Sequence, residues 1–222
     1  MEEVEEIAKL GLDFAEISFT DPHAVLQQIP TLVALRNQYD LFYLAHLPNE
    51  GNPQDIDGLR NHFSPRIKSL LDLAGTLDIG LMTFHFWLDR RFIEHKIVEE
   101  KIEMIKEMVN HAQEKQVTLC LENLSEDHHD LARTFTAIEN LGMTLDIGHG
   151  QLLREENTSC TIIEKFFHRI RHIHIHDNRG GYSHKDDIHL PLGEGIIDFA
   201  PIMKALLQSG YKNTICLEVN TA

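Results

Sequence analysis

Short apolar runs alternate with long amphipathic stretches from one end of the 222-residue chain to the other, as a parallel β/α architecture requires. The runs Phe14 to Phe19, Leu41 to His46, Gly80 to Phe86, Val117 to Asn123, Met143 to Gly148, His172 to Asp177 and Thr214 to Val219 predict seven strands. Between them the pattern predicts helices near 2–10, 23–38, 55–78, 93–115, 127–140, 151–169 and 197–209. The fourth is the best marked. Ile93, Ile97, Ile102, Ile105 and Val109 form one apolar stripe, with Glu99, Glu100, Glu103, Lys106 and Glu107 on the solvated side. Leu10-Gly11, Leu141-Gly142 and Ser209-Gly210 each place a glycine before a new strand, where a left-handed cap would end a helix. The repeated phrase of helix, glycine and strand points to one domain over residues 1–222, closed as a barrel rather than left as an open sheet.

Read with a period of two, each strand carries one ionisable residue near its C-terminal end on a common parity: Glu16, His46, His85, Glu122, Asp146, His174 and Glu218. Phe14, Leu44, Thr83, Cys120, Thr144, His172 and Cys216 precede them on the same parity. The opposite parity carries Ala45, Phe84, Leu121, Leu145, Ile175 and Leu217, suited to packing beneath helices. In β/α barrels, active sites lie at the C-terminal ends of the strands. A lone strand-end His or Glu is more often a hydrogen-bonded polar residue than a ligand. Several carboxylates and imidazoles gathered in one barrel mouth are costly to bury unless a cation compensates them. The segment from Arg171 to Gly195 concentrates this chemistry: His172, His174 and His176 share a strand face, and Asp187 and His189 follow in the next loop. His172 and His176 fit a deeper or supporting role as well as ligation. His23, His62, His95, His111, His128, His129, His168 and His184 lack such context and read as surface residues.

The formal net charge of −15 disfavours nonspecific adhesion to nucleic acid or anionic membrane. Three widely spaced cysteines, Cys120, Cys160 and Cys216, suggest no disulfide framework and favour a reducing compartment. The start, Met1-Glu-Glu-Val-Glu-Glu, has neither a basic nor an apolar targeting region, and no apolar run approaches membrane length. The expectation is a soluble, cytoplasmic protein without a membrane partner.

The motifs Leu10-Gly-Leu-Asp-Phe-Ala-Glu-Ile17, Ala45-His-Leu-Pro48, Leu121-Glu-Asn123, Thr144-Leu-Asp-Ile-Gly-His149, His172-Ile-His-Ile-His-Asp-Asn178, His189-Leu-Pro-Leu-Gly-Glu-Gly195 and Cys216-Leu-Glu218 span nearly the whole chain. As a set they resemble the xylose isomerase-like TIM barrel superfamily, which includes sugar and sugar-phosphate isomerases and epimerases and the endonuclease IV type of repair enzyme. The resemblance implies a TIM-type parallel β/α barrel. Family members usually open with a further strand and close with a further helix, so the expectation is a seven-stranded variant, a first strand lost to the choice of start codon, or a partner over the open seam, with a homodimer or a distorted closure near Phe14 to Phe19 and Thr214 to Val219.

The isomerase branch implies one divalent metal, Zn, Mn or Co, held by Glu122, Asp146, His174 and Glu218. There Glu122 and Glu218 would exchange a substrate proton and His149 would contact the substrate. The endonuclease branch implies up to three ions and adds His46, His85, His149, Asp187 and His189. The leading expectation is a metal-dependent isomerase or epimerase of a small sugar, sugar phosphate or polyol, with Glu16, Arg90 and Arg179 as candidate substrate-binding residues. The alternatives are an endonuclease IV-like phosphodiesterase and a non-catalytic metal-binding barrel. Against a nucleic-acid substrate, the loops Thr20 to His23 and Leu47 to Gln54 contain no Lys or Arg, although phosphate contacts dominate DNA affinity. Lys185 and Arg91 read as solvated surface charges.

Overall fold

The computed structural model describes residues 2–220, and these form two compact units: residues 2–85 with 103–119, and residues 86–102 with 120–220. The side chain of His184 lies outside the described residues.

In the first unit, β1 (Phe14–Ser18), β2 (Phe42–His46) and β3 (Leu81–His85) run parallel with β2 in the centre. Register aligns Glu16 with Leu44 and His46 with Thr83. Helix Pro22–Tyr39 begins where Asp21 accepts the Ala24 N–H at 2.8 Å and proline supplies the first turn. The single helix expected over 55–78 is instead broken into pieces. Ile56–Gly58 leads into a wide turn at Leu59–Phe63, then helix Ser64–Leu71, then a tight turn at Ala74–Leu77. Pro65 has no N–H to continue the ladder, and Ser64 N–H reaches back five residues to Leu59 O, which widens the turn.

The second unit holds the end of β4 (Thr118–Glu122) with β5 (Gly142–Asp146), β6 (Ile170–Ile175) and β7 (Thr214–Leu217), again parallel in chain order. Glu122 lies beside Thr144, Asp146 beside His174 and His174 beside Cys216. Leu121, Leu145 and Ile173 are buried, as are Leu131 and Ile162 on the helices His128–Ala137 and Ser159–Phe166. Leu217 departs from its expected packing and is 60% exposed. Gly142 does not cap a helix but opens β5, whereas Gly11 and Gly210 both take the left-handed conformation, φ 74°.

The helix expected over 151–169 begins only at Ser159, where Asn157 Oδ1 takes the Ser159 N–H at 2.9 Å. Ahead of it, a tight turn at His149–Gln151 leads to a loop in which Leu153 is left-handed, φ 57°. That loop supplies one wall of the cavity described below.

Candidate metal centre

The C-terminal ends of β4, β5, β6 and β7 bring Glu122, Asp146, His174 and Glu218 together, with one donor atom from each within 4.8 Å of the others. His174 Nδ1 lies 3.0 Å from Glu122 Oε1, 3.2 Å from Glu218 Oε1 and 3.9 Å from Asp146 Oδ2. Glu122, Asp146 and His174 are buried. Asn123 aligns the β5 end, donating through Nδ2 to Asp146 O at 2.8 Å and accepting the Asp146 N–H at 2.9 Å. Asp146 Oδ2 is buried and meets no hydrogen-bond donor. Three carboxylates against one imidazole leave excess negative charge, which a buried site sustains with a cation. This oxygen-rich donor set with a single nitrogen suits a divalent ion.

A second group adjoins the first: His149, His176, Asp187 and His189 also place donor atoms within 4.8 Å of one another. Asp187 Oδ2 lies 3.2 Å from His149 Nε2, while Asp187 Oδ1 lies 3.2 Å from His189 Nε2 and 4.0 Å from His176 Nε2. His176 Nε2 is also 3.2 Å from Asp146 Oδ1. On the far side of the rings, His149 Nδ1 donates to Asn123 O at 3.0 Å and His189 Nδ1 to Glu218 O at 2.8 Å. Backbone carbonyls thus hold each Nδ1–H and leave Nε2 directed at Asp187, the orientation expected of metal-ligating histidines. His176 Nε2 and Asp187 Oδ1 are buried and make no hydrogen bond.

The charges reinforce one another. Burial opposes ionisation of Asp146, yet the His149 and His176 imidazoles outweigh it and hold the carboxyl below its ordinary range. Burial likewise opposes protonation of His149, but Asp146, Asp187 and Glu122 hold its pKa well above the ordinary value. Asp187, flanked by His149 and His189, stays ionised far below the ordinary carboxyl value despite its burial.

The loop carrying His189 is anchored by Asp177, whose buried carboxylate accepts the N–H groups of Asn178, Gly193, Gly195 and Ile197 at 2.9 to 3.2 Å. Gly148 lets His176 approach the turn, since a Cβ there would sit 2.1 Å from the His176 ring. Beside His149 and Asp187 opens a cavity of about 480 Å³ whose walls include Trp87, Phe92, Leu124, Leu152 and Leu153. Glu126 ties these walls together, accepting the Leu88 N–H at 2.6 Å and the Leu124 N–H at 2.7 Å. Lys101, fully buried, donates to Trp87 O at 2.8 Å.

Other candidates are placed as follows. In the first unit, His46 and His85 meet edge to face with ring centroids 4.9 Å apart, and Glu16 is half-buried on β1. His46 Nδ1 donates to Leu47 O at 2.9 Å, and His85 Nδ1 lies 2.9 Å from Asn49 Oδ1. Arg179 is exposed, and Arg90 Nε lies 3.0 Å from Asp130 Oδ1. Arg91 is exposed, as sequence implies, but its charge is paired. It clamps the fully buried Asp89 at 2.6 Å and donates to Leu153 O and Ser125 O. His172 is fully buried, with Nδ1 2.6 Å from Thr214 Oγ1, and its ring meets that of His174 edge to face with centroids 4.8 Å apart. His176 is the residue that sequence left undecided and the structure brings into the second group. His23, His62, His95 and His168 are exposed, and His111 is half-buried against Asp72 at 2.9 Å.

A family model described as xylose isomerase-like TIM barrel matches residues 4–222. The chain belongs to this family. Its fold class is therefore the TIM-type parallel β/α barrel, as the motifs implied. An uncharacterized protein of Methanocaldococcus jannaschii is 26% identical over 233 residues, covering 97% of this chain and 77% of that protein. The crystal structure of a D-tagatose 3-epimerase-like protein superposes with a TM-score of 0.81 at 27% identity, covering 97% of this chain and 85% of that one. An inosose dehydratase of Lacticaseibacillus casei is 32% identical over 102 residues, 40% of this chain and 34% of that enzyme. This xylose isomerase-like chain is thus similar to proteins named as a D-tagatose 3-epimerase-like protein and an inosose dehydratase. No described helix is long and apolar enough to cross a membrane, and Cys120, Cys160 and Cys216 form no disulfide.

Proposed function

We propose that the protein is a divalent-metal-dependent isomerase or epimerase of a small sugar or polyol, acting in the cytoplasm. The observation that carries this reading is that Glu122 and Glu218 approach the same His174 Nδ1 to 3.0 and 3.2 Å. Two carboxylates thereby converge on one point from β4 and from the end of β7. Glu122, Asp146, His174 and Glu218 would hold Mn, Co or Zn, which supplies polarisation of a substrate carbonyl and acidifies the adjacent C–H. One glutamate takes that proton and the other returns one, on the opposite face for epimerisation or at the neighbouring carbon for isomerisation. His149 lines the cavity, which places it beside a substrate bound there. The sugar-enzyme names of the relatives support the reading.

The test is solvent-proton exchange. In D2O, the Mn-loaded protein should introduce deuterium next to the carbonyl of a ketohexose, and Glu218→Gln should slow this by about 10²- to 10⁴-fold. Exchange that is unchanged in Glu218→Gln would exclude the glutamate pair as the proton carriers.

One observation favours a second reading, an endonuclease IV-like phosphodiesterase: His149, Asp187 and His189 gather as a separate donor group beside the first. Cleavage of an abasic-site duplex would decide for it.

A further inference from the structure

We infer that the substrate is an uncharged sugar carrying an apolar substituent, and that this substituent lies against Trp87 and Phe92. The inference rests on the proposed sugar chemistry at the same site and names what that site selects. At about 480 Å³, the cavity beside His149 and Asp187 falls in the range that encloses a drug-sized ligand rather than a bare monosaccharide. Trp87 and Phe92 stack at one side with ring centroids 5.1 Å apart and planes 23° from parallel, and Leu124 and Leu152 continue the apolar lining. Sugar hydroxyls buried against such a wall would lose water without gaining partners. A ring or alkyl group would bury apolar surface there at no such loss.

Charge sets the second half of the class. No Lys or Arg lines the cavity, and its ionisable lining residues are Asp187 and the His149 that pairs with it at 3.2 Å. Two neighbouring guanidiniums are committed elsewhere: Arg91 to Asp89 at 2.6 Å, and Arg154 to Asp127 and Asp130, both at 3.1 Å. Phosphate recognition normally relies on free Arg or Lys donors. A sugar phosphate would meet an aspartate in their place. The aromatic platform is held in place, not adventitious, because Trp87 Nε1 donates to Ser125 Oγ at 2.9 Å while Lys101 fixes the Trp87 carbonyl.

Trp87 is the sole tryptophan of the chain, so its fluorescence reads the cavity directly. Methyl β-D-glucoside, phenyl β-D-glucoside, glucose and glucose 6-phosphate are each titrated into the metal-loaded protein. Phenyl β-D-glucoside should bind about tenfold more tightly than the methyl glycoside, about 1.4 kcal/mol, and glucose 6-phosphate no better than glucose. Phe92→Ala, which keeps the fluorophore, should erase the phenyl preference. Equal affinity for the two glycosides, preference for the phosphate, or no saturable signal with any ligand overturns the inference. Deuterium exchange separates this from the reaction itself. Exchange without phenyl preference leaves the isomerase reading standing and removes this one, whereas phenyl preference without exchange does the reverse.

Discussion

The imidazole of His176 lies flat against that of His189, ring centroids 3.9 Å apart and planes 15° from parallel. Asp187 holds the pKa of His189 above its ordinary value, against the effect of burial. Both rings belong to the second donor group, and a divalent ion held there would take the place of the proton on His189.

The arrangement therefore predicts two metal ions per chain. Elemental analysis after Mn or Zn loading should find two. His176→Ala should weaken the second by about 10- to 100-fold while leaving the first, and His174→Ala should remove the first. A His176→Ala protein that retains two ions at unchanged affinity would exclude His176 as a ligand.

Removing metal should destabilise the fold. The buried Glu122 and Asp146 carboxylates and the adjoining Glu218 lose their compensating charge, and an ion present at about 1,000 times its Kd contributes about 4 kcal/mol. Thermal unfolding should shift down with a chelator and return with added Mn. An unfolding temperature indifferent to both would argue against a resident ion.

Gly148→Ala is expected to cost about 1–3 kcal/mol, because the new methyl must displace the buried His176 ring. It should also disturb the second ion more than the first. Urea midpoints and metal titration on the same protein would show both effects, and a variant of native stability would mean that the turn yields more easily than the packing implies.

Glu126 predicts a pH-dependent stability. Burial pushes its pKa up to about 7 from an ordinary 4.5, against the pull of the Leu88 and Leu124 N–H groups. Between these values the folded chain keeps a proton that the unfolded chain has released, so stability falls as pH rises from about 4.5 through 7. The loss is on the order of 3 kcal/mol by pH 8. Glu126→Gln cannot ionise and should lack this component. Urea midpoints at pH 5 and pH 8 compare the two proteins, and parallel profiles would show that Glu126 does not titrate in this range.

The strands are legible because a period of two survives in each; parity places seven ionisable residues at their ends, and the family resemblance picks Glu122, Asp146, His174 and Glu218 from among them. The helices over 55–78 and 151–169 were read too long, since apolar spacing continues across Pro65 and Asn157 while the hydrogen-bond ladder does not. His176 was undecided for a related reason. It follows the last residue of β6, Ile175, and beyond a strand end parity no longer says where a side chain points. The pairing of Arg91 is not legible in the sequence, because its partners, Asp89, Ser125 and Leu153, meet through three loops whose paths spacing does not encode. Leu217 shows the converse error: it is exposed although its parity suits packing beneath a helix.

Glu126 and Asp177 hang the cavity loops on backbone N–H groups, leaving Trp87, Phe92 and Leu152 outside both donor groups. Variation at these wall positions can change which molecule is admitted while the strand-borne donors stay as they are. The fold thereby separates what evolution must keep from what it is free to alter, and libraries confined to the wall should yield altered selectivity without loss of bound metal.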